Sequence, residues 1–417
     1  MRVLPQLTQR GAQTLMGVLR RLDPYYRDDF DRLFRPSLER VVQRLLRRRL
    51  QDQGLDLAEE VLSEDEKPVA AAIADTMNRF LIKEYRDTGQ IAERAGNTKT
   101  YGLVRGRFCV NDDLPRRLQL GVFRPGRSYP VYVRFGGPGP RVVPDIDDNG
   151  ILSMGIKLMG VAGRKLLTDE KHTVDFSGIS APSFTTPNVF ENIKLQREIG
   201  LGTPAWYFLN PLDPHVLDLL MQALYARTHA NPLETTYYSC VPYQYGKGRA
   251  MKFRVRPRLE RSSPVGKLTD NYLRDAMVAT LTHGEVVFDF AMQLQTDPVS
   301  MPIEDASIVW DERQSPFIPV ATLVLPPQVF DVPAQHAFAR NITINPWHTL
   351  AVHRPLGNQN RARKTIYQST SRMRQAINGE HHLEPSGDEV FVQSRHSATG
   401  RPQPAPRRDR GVVETSS

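Results

Sequence analysis

The segment from about residue 100 to residue 180 most constrains what this chain can fold into. It is rich in β-branched and aromatic residues, as in Tyr129-Pro-Val-Tyr-Val, and is cut by turns such as Gly136-Gly-Pro-Gly-Pro140. Such a pattern predicts a succession of short strands. Strands return at 250–256 and 285–294. Val286-Val-Phe-Asp-Phe-Ala-Met-Gln alternates only partly, as a strand buried on both faces can. Helical patterns lie around these runs. Residues 69–87 are Ala-rich, with Gly89 placed to end a helix. Residues 199–230 suggest a helical insertion centred on His215–Tyr225. Strands divided by helices without βαβ regularity indicate an α+β fold. A chain of 417 residues is long enough for one large core or two domains. No repeat of fixed period is present.

Composition excludes several classes. Hydrophobic content of 40% with 24% charged residues fits a soluble globular protein. No apolar run approaches the roughly 20 residues that span a bilayer. The start, Met1-Arg-Val-Leu-Pro, lacks the apolar region of a secretory signal. Cys109 and Cys240 form neither a disulfide framework nor a metal spacing, so a cytoplasmic location is expected. The net charge is +9, and the excess is concentrated at the ends. Residues 1–50 hold twelve Arg, no Lys and five acids. Within 38–50, Leu38, Val41, Val42, Leu45 and Leu46 form one helical stripe, with Arg on the opposite face. Two readings follow: a helix packed on the core with a solvated basic face, or an interfacial helix on anionic lipid. No module motif accompanies the charge, so nucleic acid is not an expected partner. Past residue 384 the chain is Ser, Pro, Gly and Arg with few apolar residues, a composition of disorder. The organisation expected is an Arg-rich helical arm at 1–88, a core at 89–383 and a disordered tail at 384–417.

The most informative chemistry lies in Arg363-Lys-Thr-Ile-Tyr367-Gln-Ser-Thr-Ser-Arg372-Met-Arg374. Arg363 and Tyr367 are one turn apart on one helix face. A fixed positive charge beside a phenol favours the phenolate. A phenolate is a strongly donating axial ligand for ferric haem, and Tyr serves as such a ligand in catalase. Other segments extend the pattern in chain order. They are Arg94-Ala-Gly-Asn97-Thr98-Lys99, Val133-Arg134-Phe135, Ser153-Met-Gly-Ile-Lys157, Val174-Asp-Phe-Ser-Gly178 with Pro182, and Asn345-Pro-Trp-His-Thr-Leu-Ala-Val-His-Arg-Pro-Leu-Gly-Asn358. In order and spacing, over roughly residues 90–380, the chain resembles the haem catalases and their small, divergent relatives. The resemblance implies an antiparallel β-barrel with flanking helices, and haem b held between barrel and proximal helix. It implies Tyr367 as axial ligand, Arg363 keeping it ionised, and Arg94, Arg134 and Arg374 neutralising the propionates. The planar fork of Arg suits carboxylates.

The chain departs from that pattern on the distal side. Asn97 stands where catalases carry the distal His, and Ile179 where they carry the distal Asn. Peroxide disproportionation needs a group that takes a proton from one oxygen and returns it to the other. An Asn amide forms hydrogen bonds but shuttles no proton. Thr98 has a hydroxyl nearby but is a poor base, and Tyr101 reads as a packing residue. His172, His348 and His353 are weak candidates for the missing role. No Cys-x-x-Cys spacing offers a competing metal site. Three readings remain: a haem enzyme acting on peroxide, organic or lipid hydroperoxide more than hydrogen peroxide; a haem-binding catalase-fold protein with little turnover; and a non-haem interaction protein acting through its Arg-rich ends.

Overall fold

The computed structural model describes residues 3–259 and 263–391. Two helices open the chain, α1 (Val3–Leu33) and α2 (Arg35–Arg47). The Ala-rich segment forms α3 (Glu66–Leu81), which loosens into a π-helical turn at Ile82–Arg86. Gly89 then takes φ +68°, a left-handed geometry that costs glycine nothing. Four strands follow as expected: β1 (Thr100–Val110), β2 (Ser128–Gly136), β3 (Ser153–Leu158) and β4 (Val174–Ile179). Next come α4 (Val189–Gly200), α5 (Pro204–Leu209), α6 (Val216–Tyr225), β5 (Tyr237–Tyr238), β6 (Tyr243–Gln244) and β7 (Ala250–Pro257). The described chain continues with α7 (Tyr272–His283), β8 (Val286–Leu294), β9 (Ile318–Leu325), α8 (Pro333–Asn341) and α9 (Asn358–Asn378).

The strands pair antiparallel in the order β4-β3-β2-β1-β9-β8-β7. β5 bridges the ends, with Ile179 opposite Tyr238 and Tyr237 opposite Val255. An eight-stranded antiparallel barrel is thereby closed, and β6 extends β7 outside it. Phe108, Phe123, Phe176, Phe253 and Phe290 fill the interior, with Phe253 and Phe290 ring centroids 5.0 Å apart. β8 alternates cleanly through Val286, Phe288 and Phe290. The register then shifts where Val320 of β9 is left without a partner, and Phe290, Ala291, Met292 and Gln293 are all buried. Four buried residues in succession mean that the second half of the strand is covered on both faces, which is why the alternation reads as partial.

Helices cover one side of the barrel. Ala70, Ile73 and Ala74 of α3 pack on Val189 and Ile193 of α4 and on Ala362 and Ile366 of α9. Arg361 fixes the start of α9 by pairing with Glu60, Glu66 (2.6 Å) and Glu304 (3.0 Å). The stripe read at 38–50 docks on the molecule: Val42 and Leu46 are buried with Met221, Leu224 and Ile308. Leu38, Val41 and the basic side chains Arg40, Arg44 and Arg48 face outward. α1 is held by polar contacts, among them Arg27 donating to the Ala226 carbonyl at 2.7 Å.

Residues 384–391, assigned above to the tail, pack on the barrel. Glu389 accepts from the Tyr132 hydroxyl at 2.7 Å, and the tilted Phe391 ring packs on Phe338 with centroids 5.2 Å apart. The remaining tail residues, 392–417, lie outside the described residues. Among the described residues, no helix is long and apolar enough to cross a membrane.

Candidate functional site

A cavity of about 620 Å³ lies between α9 and the barrel face formed by β2, β3 and β4. Arg94, Asn97, Arg134, Ile179, Arg363, Tyr367 and Arg374 all line it. Seven of the eight positions discussed above for the site therefore converge on one space. The exception is Thr98, which is fully buried and donates its hydroxyl to the Arg94 carbonyl at 2.8 Å. It is a structural clasp for the loop.

Three guanidinium groups dominate one end. Arg134 donates through Nε to Thr100 Oγ1 (3.0 Å) and through Nη2 to the carbonyls of Asn97 (2.7 Å) and Thr98 (3.2 Å). Gly136 leaves the room this needs, since a Cβ there would lie 2.7 Å from Arg134 Nη1. Arg94 donates to the carbonyls of Ala339 (2.9 Å) and Ile342 (2.5 Å). Arg374 donates to the Asn341 carbonyl at 3.0 Å, while its buried Nε has no partner. Carbonyls satisfy N–H groups but leave the charge uncompensated. Among the described residues none of the three is paired with a carboxylate, and nearby Glu93 is taken by Arg340 at 3.2 Å. Burial and the neighbouring guanidiniums push Arg134 and Arg374 well below the usual arginine range; burial brings Arg94 down to about 10. Burying one unpaired cation costs several kcal/mol.

α9 supplies the opposite wall, because Arg363, Tyr367, Ser371 and Arg374 recur every three or four residues and share a face. Tyr367 is half-buried, against the α3–α4 cluster. Arg363 lies one turn away as expected, but its Nη1 donates to Asn360 Oδ1 at 3.1 Å and its guanidinium sits 5.2 Å from the Phe184 ring. No hydrogen bond joins it to Tyr367 among the described residues.

On the barrel side, Asn97 has φ +49°, a left-handed conformation that Asn tolerates better than most side chains. Its carbonyl is committed to Arg134, so the backbone is held where the residue lines the cavity. Lys99 is buried and paired with Asp145 at 2.6 Å, which ties down the same loop. Ile179 and Phe184 make that side apolar.

None of the three histidines weighed for a distal role lines this space. His353 is buried against Phe123 and Tyr245, and burial lowers it to about 4. The His172 ring is exposed. Burial would favour a neutral His348 ring, but hydrogen bonds to Asp169 and Asp175 raise it to about 9. His348, Glu170 and Asp175 lie close enough to ligate an ion, but Lys157 already fills the space between the two carboxylates. Sequence reading missed the cavity's far end. Leu195 and Ile199 of α4, Phe208 of α5 and Leu219 of α6 form it, together with Met16 of α1. The helical insertion is thus a wall of the site, and its apolar periodicity was the available signal.

The barrel, its helical cover and the cavity between them define the catalase-like fold. No family model and no curated protein matches the chain by sequence. Solved structures do match. A fungal catalase superposes with TM-score 0.56 at 17% identity, over 84% of this chain and 72% of that one. Catalase A from Saccharomyces cerevisiae gives TM-score 0.56 at 15% identity, over 84% and 73%. A bacterial catalase gives TM-score 0.51 at 14% identity, over 84% and 72%. At such identities the likeness is one of fold.

Proposed function

We propose that the cavity binds haem b with Tyr367 as axial ligand, and that the protein acts on an organic or lipid hydroperoxide more readily than on hydrogen peroxide. The observation that carries this reading is the set of three buried guanidiniums without carboxylate partners. Arg94, Arg134 and Arg374 suit a dianionic ligand edge, and bidentate contacts to carboxylates would satisfy donors such as Arg374 Nε. The cavity volume falls within the range of cofactor pockets, about 300–1,000 Å³. Haem, when bound, supplies the redox-active iron that splits a peroxide O–O bond.

The chain's own residues set the substrate preference. Asn97 can orient a peroxide by hydrogen bonding but takes up no proton, and a positioned acid–base group is typically worth 10²–10⁴-fold. Hydrogen peroxide therefore receives little help here. A larger hydroperoxide gains position from its tail, which substitutes for part of that missing contribution. Ile179, Phe184 and the apolar end formed by Leu195, Ile199, Phe208 and Leu219 offer such a tail contact. The second reading is haem binding with little turnover, which the missing proton shuttle favours. Steady-state turnover of haem-loaded protein with a fatty-acid hydroperoxide and with hydrogen peroxide separates the two. The proposal expects kcat/KM at least about tenfold higher for the fatty-acid hydroperoxide. Equal and negligible turnover of both would favour the second reading.

A further inference from the structure

Surface helices usually bury an apolar stripe and show a polar face. α1 does the reverse. Its inward side is polar: Gln9 accepts from the Ala205 N–H at 2.8 Å, and Arg20 donates to the Asp147 carbonyl. Asp23 accepts from the Thr228 N–H at 2.6 Å, and Arg27 reaches Ala226. Its outward side carries Leu4, Leu7, Leu15, Val18, Leu22 and Tyr25, each between 50% and 85% exposed. With Gly11 in line, the spacing of three and four residues keeps them on one face. The row spans about 32 Å at 1.5 Å per residue. Isolated exposed apolar residues need no explanation, but a continuous row of this length does.

Charge indicates what covers it. Between Val3 and Leu22 the helix has Arg10, Arg20 and Arg21 and no acid. Arg10 and Arg21 are exposed, eleven residues apart, and so fall on the same edge of the stripe. Neither pairs with a carboxylate among the described residues. The first acid, Asp23, is buried; Asp28 and Asp29 come after the stripe ends. Antiparallel self-pairing through this face would lay one Arg-bearing edge beside the other and set like charges together. A sheet of negative charge above an apolar layer meets both features at once.

We propose that α1 seats flat on an anionic lipid bilayer, its Leu15–Leu22 stripe among the acyl chains and Arg10 and Arg21 at the headgroups. The same helix presents Met16 to the apolar end of the cavity, in the wall that contains Pro204 and Phe208. Docking thus brings that end of the cavity to the membrane surface, a route for a lipid-borne hydroperoxide. The route rests on the function proposed above; the docking does not.

The test is flotation of the full chain with two kinds of vesicle, pure phosphatidylcholine and an equal mixture of phosphatidylcholine and phosphatidylglycerol. Wild type should float with the mixture at low salt and be released at high salt, as screening shortens from ~10 Å at 0.1 M to ~3 Å at 1 M. Leu15→Glu/Val18→Glu/Leu22→Glu should cut the bound fraction roughly tenfold or more, since charged side chains lose the contact with the acyl chains. Arg10→Gln/Arg21→Gln should remove the preference for the anionic vesicles. This second variant keeps the test decisive if the first unfolds on heating earlier than wild type. Three results overturn the proposal. One is wild type that does not float; another is floating that the Glu substitutions leave unchanged. The third is a dimer in sedimentation that the Glu substitutions convert to monomer, which assigns the face to a second copy. None of these touches the hydroperoxide reading, which is measured without vesicles.

Discussion

At the scale of single residues, the site is an arrangement of unneutralised positive charge opposite a phenol. Each of the three arginines is held by backbone carbonyls, so the cluster is pre-formed and strained by its own repulsion. Two consequences follow for Arg374→Met. In the haem-free protein the substitution should raise the melting temperature, because it removes an unpaired buried cation with an orphaned Nε. In the same protein haem affinity should fall about 10–100-fold, the worth of a charge-assisted bond at about 1.5–3 kcal/mol. Differential scanning calorimetry and haem titration check the pair; a lower melting temperature with unchanged affinity would remove the cluster from the site. Asn97→His tests the distal side. Hydrogen peroxide turnover should rise at least about tenfold, short of the 10²–10⁴ an acid–base group typically gives, because Ile179 remains apolar. Turnover that stays flat would mean Asn97 is not where peroxide reacts. Most of these positions were legible from residue type and order along the chain. What the sequence did not contain was direction: Arg363 lies one turn from Tyr367, yet its guanidinium is drawn to Asn360 and Phe184. Nor did it show that Thr98 bonds its own loop, since both outcomes use the same residues.

At the scale of elements, α9 owes its position to its first turn. Arg361 meets three carboxylates there, and removing one partner of a buried charge group costs about 3–5 kcal/mol. Arg361→Met should therefore lower the unfolding free energy by about 3 kcal/mol in urea, and a loss below about 1 kcal/mol would show that packing with α3 suffices. The loop before α9 is tied to β4 through His348 and Asp175, 2.9 Å apart. The folded pKa of His348, raised to about 9, exceeds the ordinary value, so its contribution is complete below about 6.5 and is lost as pH rises through 9. Stability of the wild type should decline over that window, and His348→Gln should flatten the decline; equal slopes in melting temperature against pH would refute it. Elements with strong local patterns were readable: β1–β4, β7, β8, α3 and the insertion that becomes α5 and α6. β9 was missed. It is eight residues long, has Pro319 inside, and is bounded by Pro316 and Pro326, which read as loop. The partners of α2 were also hidden. Val42 and Leu46 find Met221, Leu224 and Ile308, contacts distant in the chain that periodicity alone cannot assign.

At the scale of the whole molecule, a closed barrel provides one rigid wall of the cavity, and α9, α4, α5 and α6 provide the other. The N-terminal helices belong to that cover. Deleting residues 1–50 should cost at least about 3 kcal/mol from the burial of Val42 and Leu46 alone, yet leave every charged group of the cavity in place. The truncated chain should melt earlier and still take up haem at low temperature. The central claim, that this cavity is a haem site with Tyr367 at the iron, is tested most directly by titrating purified protein and Tyr367→Phe with ferric haem and recording the absorption spectrum. Wild type should take up one haem per chain with a high-spin ferric spectrum, and Tyr367→Phe should lose or clearly shift that spectrum. Wild-type protein that takes up no haem, or a Tyr367→Phe complex with the same stoichiometry and spectrum, would contradict it.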